Sequence, residues 1–213
     1  MFFAWSGYAQ NGGAKGAVTL FISKSTDGGA TWTTQVQDVS GAPPNCLGCG
    51  WAYLGAQMTL TSDAAGALYT LWNAGAVDKG PERIYFARST DAGRTWSAKA
   101  DVSSAPANVA HAFPAIVAGA ANDVRIAWMD ARAPGALWNT YYRSSTNGGV
   151  TWSTEADLST ATPGYTYIKP EGYNFPFGDY FEIDIDERGT TQAVWGEGNN
   201  YDSPGSIWYA RGN

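Results

Sequence analysis

Short runs of alternating apolar and polar residues, separated by glycine, asparagine, aspartate and proline, extend along the whole chain. Alternation over about four to eight residues is typical of β-strands that turn one face toward a core. No stretch carries the apolar period of an amphipathic helix. The pattern therefore predicts an all-β protein built from short antiparallel strands.

An eight-residue pattern, Ser-Thr-[Asp/Asn]-x-Gly-x-Thr-Trp, occurs three times between these runs. The copies span 25–32, 89–96 and 145–152, and their tryptophans Trp32, Trp96 and Trp152 are 64 and 56 residues apart. Asp and Asn accept hydrogen bonds from the backbone that follows them, and glycine adopts positive φ without steric cost. Repeats at this period indicate one supersecondary unit per copy. We expect three hairpin turns on one rim of the molecule, each with its tryptophan largely buried.

Superposing the repeats divides the chain into four related units, at about 1–40, 52–103, 110–159 and 177–213. The first unit opens on a second strand and the last ends on a third, so the predicted strand counts are three, four, four and three. A closed propeller of six or seven four-stranded blades needs about 24 to 28 strands. We interpret the chain as one β-propeller domain or propeller fragment, the C-terminal part of a larger ring. The remaining blades would belong to the same longer chain or, alternatively, to an oligomer.

The repeat is the Asp-box pattern, and through it nearly the whole chain resembles the sialidase-like (neuraminidase) Asp-box, or BNR-repeat, β-propeller family. The resemblance implies a propeller with a glycoside hydrolase site on the rim opposite the boxes. It also implies an arginine triad that begins in an Arg-Ile-Pro motif, but here Arg83-Ile84 precedes Tyr85 and Arg125-Ile126 precedes Ala127. The family also includes non-catalytic binding proteins, so the fold does not settle the function.

Composition narrows the partners and the compartment. The net charge is −6 and the basic residues are scattered, which argues against a nucleic-acid partner, and no apolar run approaches the ~20 residues of a membrane span. Cys46 and Cys49 lie in a loop rich in proline and glycine, where we expect a disulfide. A zinc half-site and a redox Cys-x-x-Cys are the alternatives. The protein is expected to be secreted or periplasmic, with no metal and no cofactor.

Candidate catalytic residues emerge from comparing the units position by position. Two residues past the tryptophan of each second strand, the units carry Gly7, Ala74, Asp130 and Glu197. The scaffold needs no carboxylate there, and two carboxylates across a substrate are the usual apparatus of glycoside hydrolysis. Sialidases instead use a tyrosine nucleophile.

The predicted catalytic set is Asp130, Glu197, Asp179 and Tyr180. Because these side chains lie at strand ends, we expect them to contribute little burial. Alternatively, Asp130 and Glu197 only cap strands or pair with Arg132 and Arg143.

Substrate-binding candidates lie on the same predicted rim. The guanidinium of Arg132 suits a carboxylate or phosphate, and His111 is a hydrogen-bonding residue at a strand start. Aromatic rings in the loops that follow can stack on sugars: Tyr165, Tyr167 and Tyr173.

Two hypotheses for the function follow. The first hypothesis is a secreted sialidase-like glycoside hydrolase, and the second is a non-catalytic propeller that binds a glycan or a protein through an aromatic rim. Accessible carboxylates would favour the enzyme, and carboxylates tied into ion pairs would favour the binding protein.

Overall fold

The computed structural model describes residues 1–10, 15–43, 55–135, 137–159, 181–197 and 206–212, with backbone only at 197 and 206. Fourteen strands run through these residues. They are β1 (Phe2–Gln10), β2 (Lys15–Lys24), β3 (Thr33–Ser40), β4 (Met58–Ser62), β5 (Leu68–Gly75), β6 (Glu82–Ser89), β7 (Ala100–Asp101), β8 (His111–Ala118), β9 (Val124–Ala133), β10 (Leu137–Ser145), β11 (Ala156–Asp157), β12 (Phe181–Ile185), β13 (Thr191–Glu197) and β14 (Ser206–Gly212).

The strands form four antiparallel sheets in chain order, β1–β3, β4–β7, β8–β11 and β12–β14. Within each sheet every strand pairs with its neighbour in sequence, which is the meander of a propeller blade. The all-β prediction and the strand counts of three, four, four and three are confirmed, and the described part of the chain contains no helix. It accordingly holds no helix of the length and apolarity that a membrane crossing requires.

The core lies between neighbouring sheets. Leu20 and Trp72 pack in a cluster between the first and second sheets, and Leu71 and Ile126 pack in one between the second and third. A further cluster with Met129 and Trp195 joins the third sheet to the fourth. Each blade therefore depends on its neighbours for burial, as predicted for a stack of supersecondary units.

The three repeats form the connections between the third and fourth strands of their units, and we call them the repeat turns. In the second turn, Asp91 accepts hydrogen bonds from the amide and the hydroxyl of Thr95 at 2.9 and 2.6 Å, and Ser89 donates its hydroxyl to Asp91. Asp27 makes the same contacts in the first turn. In the third turn, Asn147 accepts from the Thr151 amide and donates to its hydroxyl. The prediction of a side-chain-closed turn is confirmed.

All three repeat turns lie on one rim, which we call the turn rim. The turn of the second sheet meets the first sheet where Lys24 donates to the Ala92 carbonyl, and the turn of the third sheet meets the second where Arg88 donates to the Gly148 carbonyl. The opposite rim, where β5 and β9 end and β6, β8 and β10 begin, is called the site rim below.

The predicted burial of the repeat tryptophans is wrong for Trp32, which is 43% exposed. Trp96 and Trp152 are partly buried because each reaches the preceding sheet; Trp152 lies edge-on to Phe86, with 5.0 Å between ring centroids. In the described part of the chain no strand precedes β1, so Trp32 has no preceding sheet to contact. Its indole nitrogen instead donates to the carbonyl of Gly29 within its own turn.

Candidate functional site

The structure brings together the three predicted site residues whose side chains it describes. Asp130 is the cross-strand partner of His111 on one side and of Asn139 on the other, so strand ends from β8, β9 and β10 meet on the site rim. Arg132 follows Asp130 by two residues and lies on the same face of β9 because side chains alternate along a strand. The cluster therefore lies where the sequence predicted it.

The Asp130 carboxylate is completely buried, and both of its oxygens accept hydrogen bonds. Its Oδ2 accepts from the indole nitrogen of Trp128 at 2.9 Å and from Arg132 Nη2. Its Oδ1 accepts from Arg132 Nε at 2.8 Å and from the Arg132 amide at 3.2 Å. A bidentate pair with an arginine gives a buried carboxylate two charge-assisted hydrogen bonds and a fixed orientation.

Arg132 is committed to protein partners as well. Its guanidinium contacts Asp130 on one edge and Glu155 on the other, and it lies 3.8 Å above the ring of Tyr141. It also donates to the hydroxyls of Ser103 and Ser104 at 3.1 and 3.2 Å. These carboxylates raise the pKa of Arg132, although burial acts in the opposite direction. The guanidinium bridges β9 to the outer part of its blade and to the segment that leads out of the second blade.

His111 is buried and neutral. Its Nδ1 lies 2.9 Å from the carbonyl of Glu82 and 3.0 Å from that of Val109, and since both are acceptors, Nδ1 carries the proton. Its Nε2, 2.7 Å from the Ser103 hydroxyl, accepts the proton of that group. Burial lowers the pKa of His111 despite the Asp130 carboxylate, whose Oδ2 is 3.6 Å from Nε2. The imidazole thus connects the Asp130 network to the backbone of the second blade.

The expectation that Asp130 would contribute little burial is wrong. Side chains two residues apart on a strand share a face, so the indole of Trp128 reaches the carboxylate directly. Two of the other strand-two tryptophans satisfy the same nitrogen differently: Trp72 donates to Asp38 and Trp5 to Ser23. The Asp130 carboxylate therefore has a structural role as the acceptor for Trp128, although the comparison of the units indicated that the scaffold needs no carboxylate there.

Other predicted residues lie outside the described part of the chain: Asp179, Tyr180, Tyr165, Tyr167, Tyr173, Cys46 and Cys49. Their roles, and the disulfide, remain predictions. The backbone of Glu197 is described, at the end of β13 opposite Ser206. That register corresponds to Asp130 near the end of β9 opposite Asn139, so Glu197 also belongs to the site rim.

Glu82, at the start of β6 on the site rim, was missed by the sequence analysis. Its carboxyl is buried, its Oε2 accepts from the side-chain amide of Asn73, and its Oε1 has no hydrogen-bond partner among the described residues. Burial raises the pKa of Glu82 to about 8, which the bond from Asn73 reduces only in part. A search of the connections between second and third strands for acidic residues would have found it. Ser103 and Glu155 were missed as well, since serines and acids in loops carry no specific signal.

No protein-family model matches the sequence, and no curated protein matches it. Solved structures do match, among them an α-L-arabinanase from Penicillium chrysogenum complexed with arabinobiose (15% identity, 98% of this chain, 58% of the other, TM-score 0.53). An ulvan lyase of polysaccharide lyase family PL25 matches at 14% identity over 100% of this chain and 52% of its own, with a TM-score of 0.53. The Hadza microbial sialidase Hz136 matches at 14% identity over 84% of this chain and 42% of its own, with a TM-score of 0.50.

These likenesses show the fold. The chain is built as part of a β-propeller, as its repeats predicted. It spans about half the length of the structures it matches.

Proposed function

We propose that this chain is part of a secreted β-propeller enzyme that hydrolyses glycans at the site rim, with a sialidase-like glycoside hydrolase as the specific hypothesis. One observation carries the proposal: acidic residues of three neighbouring blades, Glu82, Asp130 and Glu197, lie on the same rim. Asp130 is an ion-paired carboxylate, whereas Glu82 has no cationic partner in the described part of the chain. Two carboxyl groups, one on each side of the scissile bond, are the usual equipment for hydrolysis of a glycosidic bond.

The predicted residues take different roles in this proposal. Asp130, enclosed by Trp128 and Arg132, acts as a positioning residue that fixes the end of β9. Glu197, at the corresponding place on β13, supplies the reactive carboxylate, together with Asp179 and Tyr180. Arg132 and His111 shape the rim, and Tyr165, Tyr167 and Tyr173 stack on sugar rings. The likeness to enzymes named for arabinan, ulvan and sialic acid agrees with a glycan substrate and leaves the sugar open.

The second candidate is a propeller that binds a glycan or a protein without turnover. It is favoured by the saturation of Asp130 and Arg132, both of which use their hydrogen-bonding capacity on protein partners. A rim that is rigid and ion-paired is suited to recognition, because little conformational freedom is lost on binding.

Turnover of a glycoside panel separates the two candidates. Full-length protein is assayed on aryl sialosides, arabinosides and uronides, and Glu197→Gln is expected to lower kcat by at least ~100-fold, the size of an acid–base contribution. Glu187→Gln, an exposed acid in the turn after β12, is the matched control and should not change turnover.

Two results would contradict the enzyme hypothesis. Full activity in Glu197→Gln would remove that residue from the mechanism. A parent protein that cleaves nothing on the panel but binds a glycan on an array would identify the chain as part of a binding protein.

A further inference from the structure

We propose that Glu82 is a catalytic acid of the site rim, which donates the proton on its Oε1 to the leaving-group oxygen of the glycan. The inference rests on the proposed hydrolase function and adds to it a residue in the second blade, one sheet away from Asp130.

Glu82 is the first residue of β6, directly after the connection that returns from β5 on the site rim. Its backbone is linked to the Asp130 network, because the Glu82 carbonyl accepts from His111 Nδ1 at 2.9 Å. The other described third strands open on Lys15, Leu137 and Ser206, so an acid at this place is particular to the second blade. The side chain is therefore not a repeated requirement of the scaffold.

Asn73 holds one oxygen of the carboxyl in a fixed orientation. The Asn73 Oδ1 accepts from the amide of Gln57 at 2.9 Å, which leaves its Nδ2 to donate to the Gly55 carbonyl and to Glu82 Oε2. Asn73 is completely buried, so this arrangement cannot be exchanged for water. Oε2 is consequently an acceptor, and a proton on the carboxyl belongs on Oε1.

Oε1 is buried and has no partner among the described residues. The charged and titratable groups near it do not offer compensation. Tyr8 on β1 is close enough that the charge of Glu82 adds to burial in raising the pKa of Tyr8, and Arg83 turns away to Asp101. The ring of His111, on β8, faces the carbonyl of Glu82 and is neutral.

A neutral carboxyl with an uncommitted O–H leaves a buried donor without an acceptor, which is unfavourable for the fold. The same group is what protonation of a glycosidic oxygen requires. Glu82 is only 4% exposed, so binding has to open the rim locally before the oxygen reaches Oε1. Contacts of catalytic acids often tighten only in the substrate complex.

The transfer balances with water as the second reactant. As the bond between the anomeric carbon and the glycosidic oxygen breaks, its electron pair stays on the oxygen, and the Oε1 proton forms the O–H bond of the departing alcohol. Water gives its hydroxyl to the anomeric carbon, and its remaining proton returns Glu82 to the neutral state. No other reactant is needed.

Glu82→Gln tests the proposal, because an amide reproduces the shape and neutrality of the acid without a transferable proton. On a glycoside with an alkyl leaving group, which needs protonation, we expect kcat to fall at least ~100-fold. On the dinitrophenyl glycoside of the same sugar, whose leaving group departs as an anion, the loss should be less than ~10-fold, because general acid catalysis supplies little there. Glu187→Gln is the control and should leave both rates unchanged.

The outcomes separate this proposal from the proposed function. If Glu82→Gln folds and loses both substrates equally, or neither, while the parent is active, Glu82 is not the acid and the hydrolase assignment stands. If the parent cleaves no glycoside at all, both fall together. A thermal unfolding midpoint of Glu82→Gln at or above that of the parent excludes misfolding as the cause of a loss.

Discussion

Two acidic residues on the site rim show how far a residue's identity determines its chemistry. Asp130 could be located from the sequence because the repeats give the register of its strand end. Its burial could not be predicted, since it depends on Trp128 and Arg132 closing over it from the same face of β9. Glu82 was overlooked because its character comes from its contact with Asn73 and from groups of the neighbouring blades, such as Tyr8 and His111, which are distant in sequence.

The unusual state of Glu82 should appear in the stability of the protein. Because burial raises its pKa from 4.5 to about 8, the neutral carboxyl favours the fold fully below pH ~4.5, and this contribution is lost as the pH rises through about 8. The unfolding free energy of the parent relative to Glu82→Gln should therefore decline across that window. The slope of this difference in unfolding free energy against pH should not exceed about 1.4 kcal/mol per pH unit.

Urea unfolding of both proteins from pH 4 to pH 9 measures this difference. His111, whose pKa is lowered by burial, destabilises the fold when the pH falls below 6.5, but it is present in both proteins and cancels. A difference that stays flat over the whole range would show that the Glu82 carboxyl ionises freely.

At the scale of elements, the repeat turns were the best predicted feature, because their geometry is set by residues within one octet. Asp27, Asp91 and Asn147 close their turns as expected, and Gly29, Gly93 and Gly149 have positive φ. What the octet could not reveal is a contact between blades. A Cβ added to Gly149 would lie 2.3 Å from the Phe86 ring of the preceding sheet, and one added to Gly93 would lie 2.7 Å from Phe2.

Gly149→Ala should therefore destabilise more than an alanine in the same kind of turn without that contact. Gly28 is the matched control: its φ is +73°, nothing lies within 4 Å of an added Cβ, and the second turn already has Ala92 at this place. We expect Gly28→Ala to cost about 1–2 kcal/mol for the left-handed backbone. Gly149→Ala should cost a further ~1–3 kcal/mol from overpacking against Phe86. Urea unfolding measures both, and equal losses would mean that Phe86 moves aside freely.

At the scale of the whole molecule, the repeats predicted the architecture because each blade buries its apolar face on the next. Among the residues that the structure describes, the same principle leaves apolar side chains exposed on the outward faces of the first and last sheets. Trp5 stacks on Phe21 with 4.2 Å between ring centroids, beside the exposed Phe3 and Val36, and on the fourth sheet Ile207 is 79% exposed beside Tyr209. The site, unlike the architecture, depends on loops whose sequences do not repeat, and for that reason it was predicted only in part. Apolar surfaces such as those on the first and fourth sheets mark places where another surface packs.

We expect other propeller blades, in the same longer polypeptide or in a second copy, to cover these faces in the working protein. Phe3→Glu and Ile207→Glu each place a charge where such a blade would pack, so each should lower the thermal midpoint of full-length protein by at least ~5 °C, because an unpaired charge would be buried. Val77→Glu, at a 64%-exposed valine in a rim loop, is the control and should shift the midpoint by less than ~2 °C.

Light scattering then distinguishes the source of the covering blades. A halved mass in the variants indicates a second copy, and an unchanged mass with a lowered midpoint indicates the same chain. Midpoints and masses indistinguishable from those of Val77→Glu would show that both faces remain in solvent.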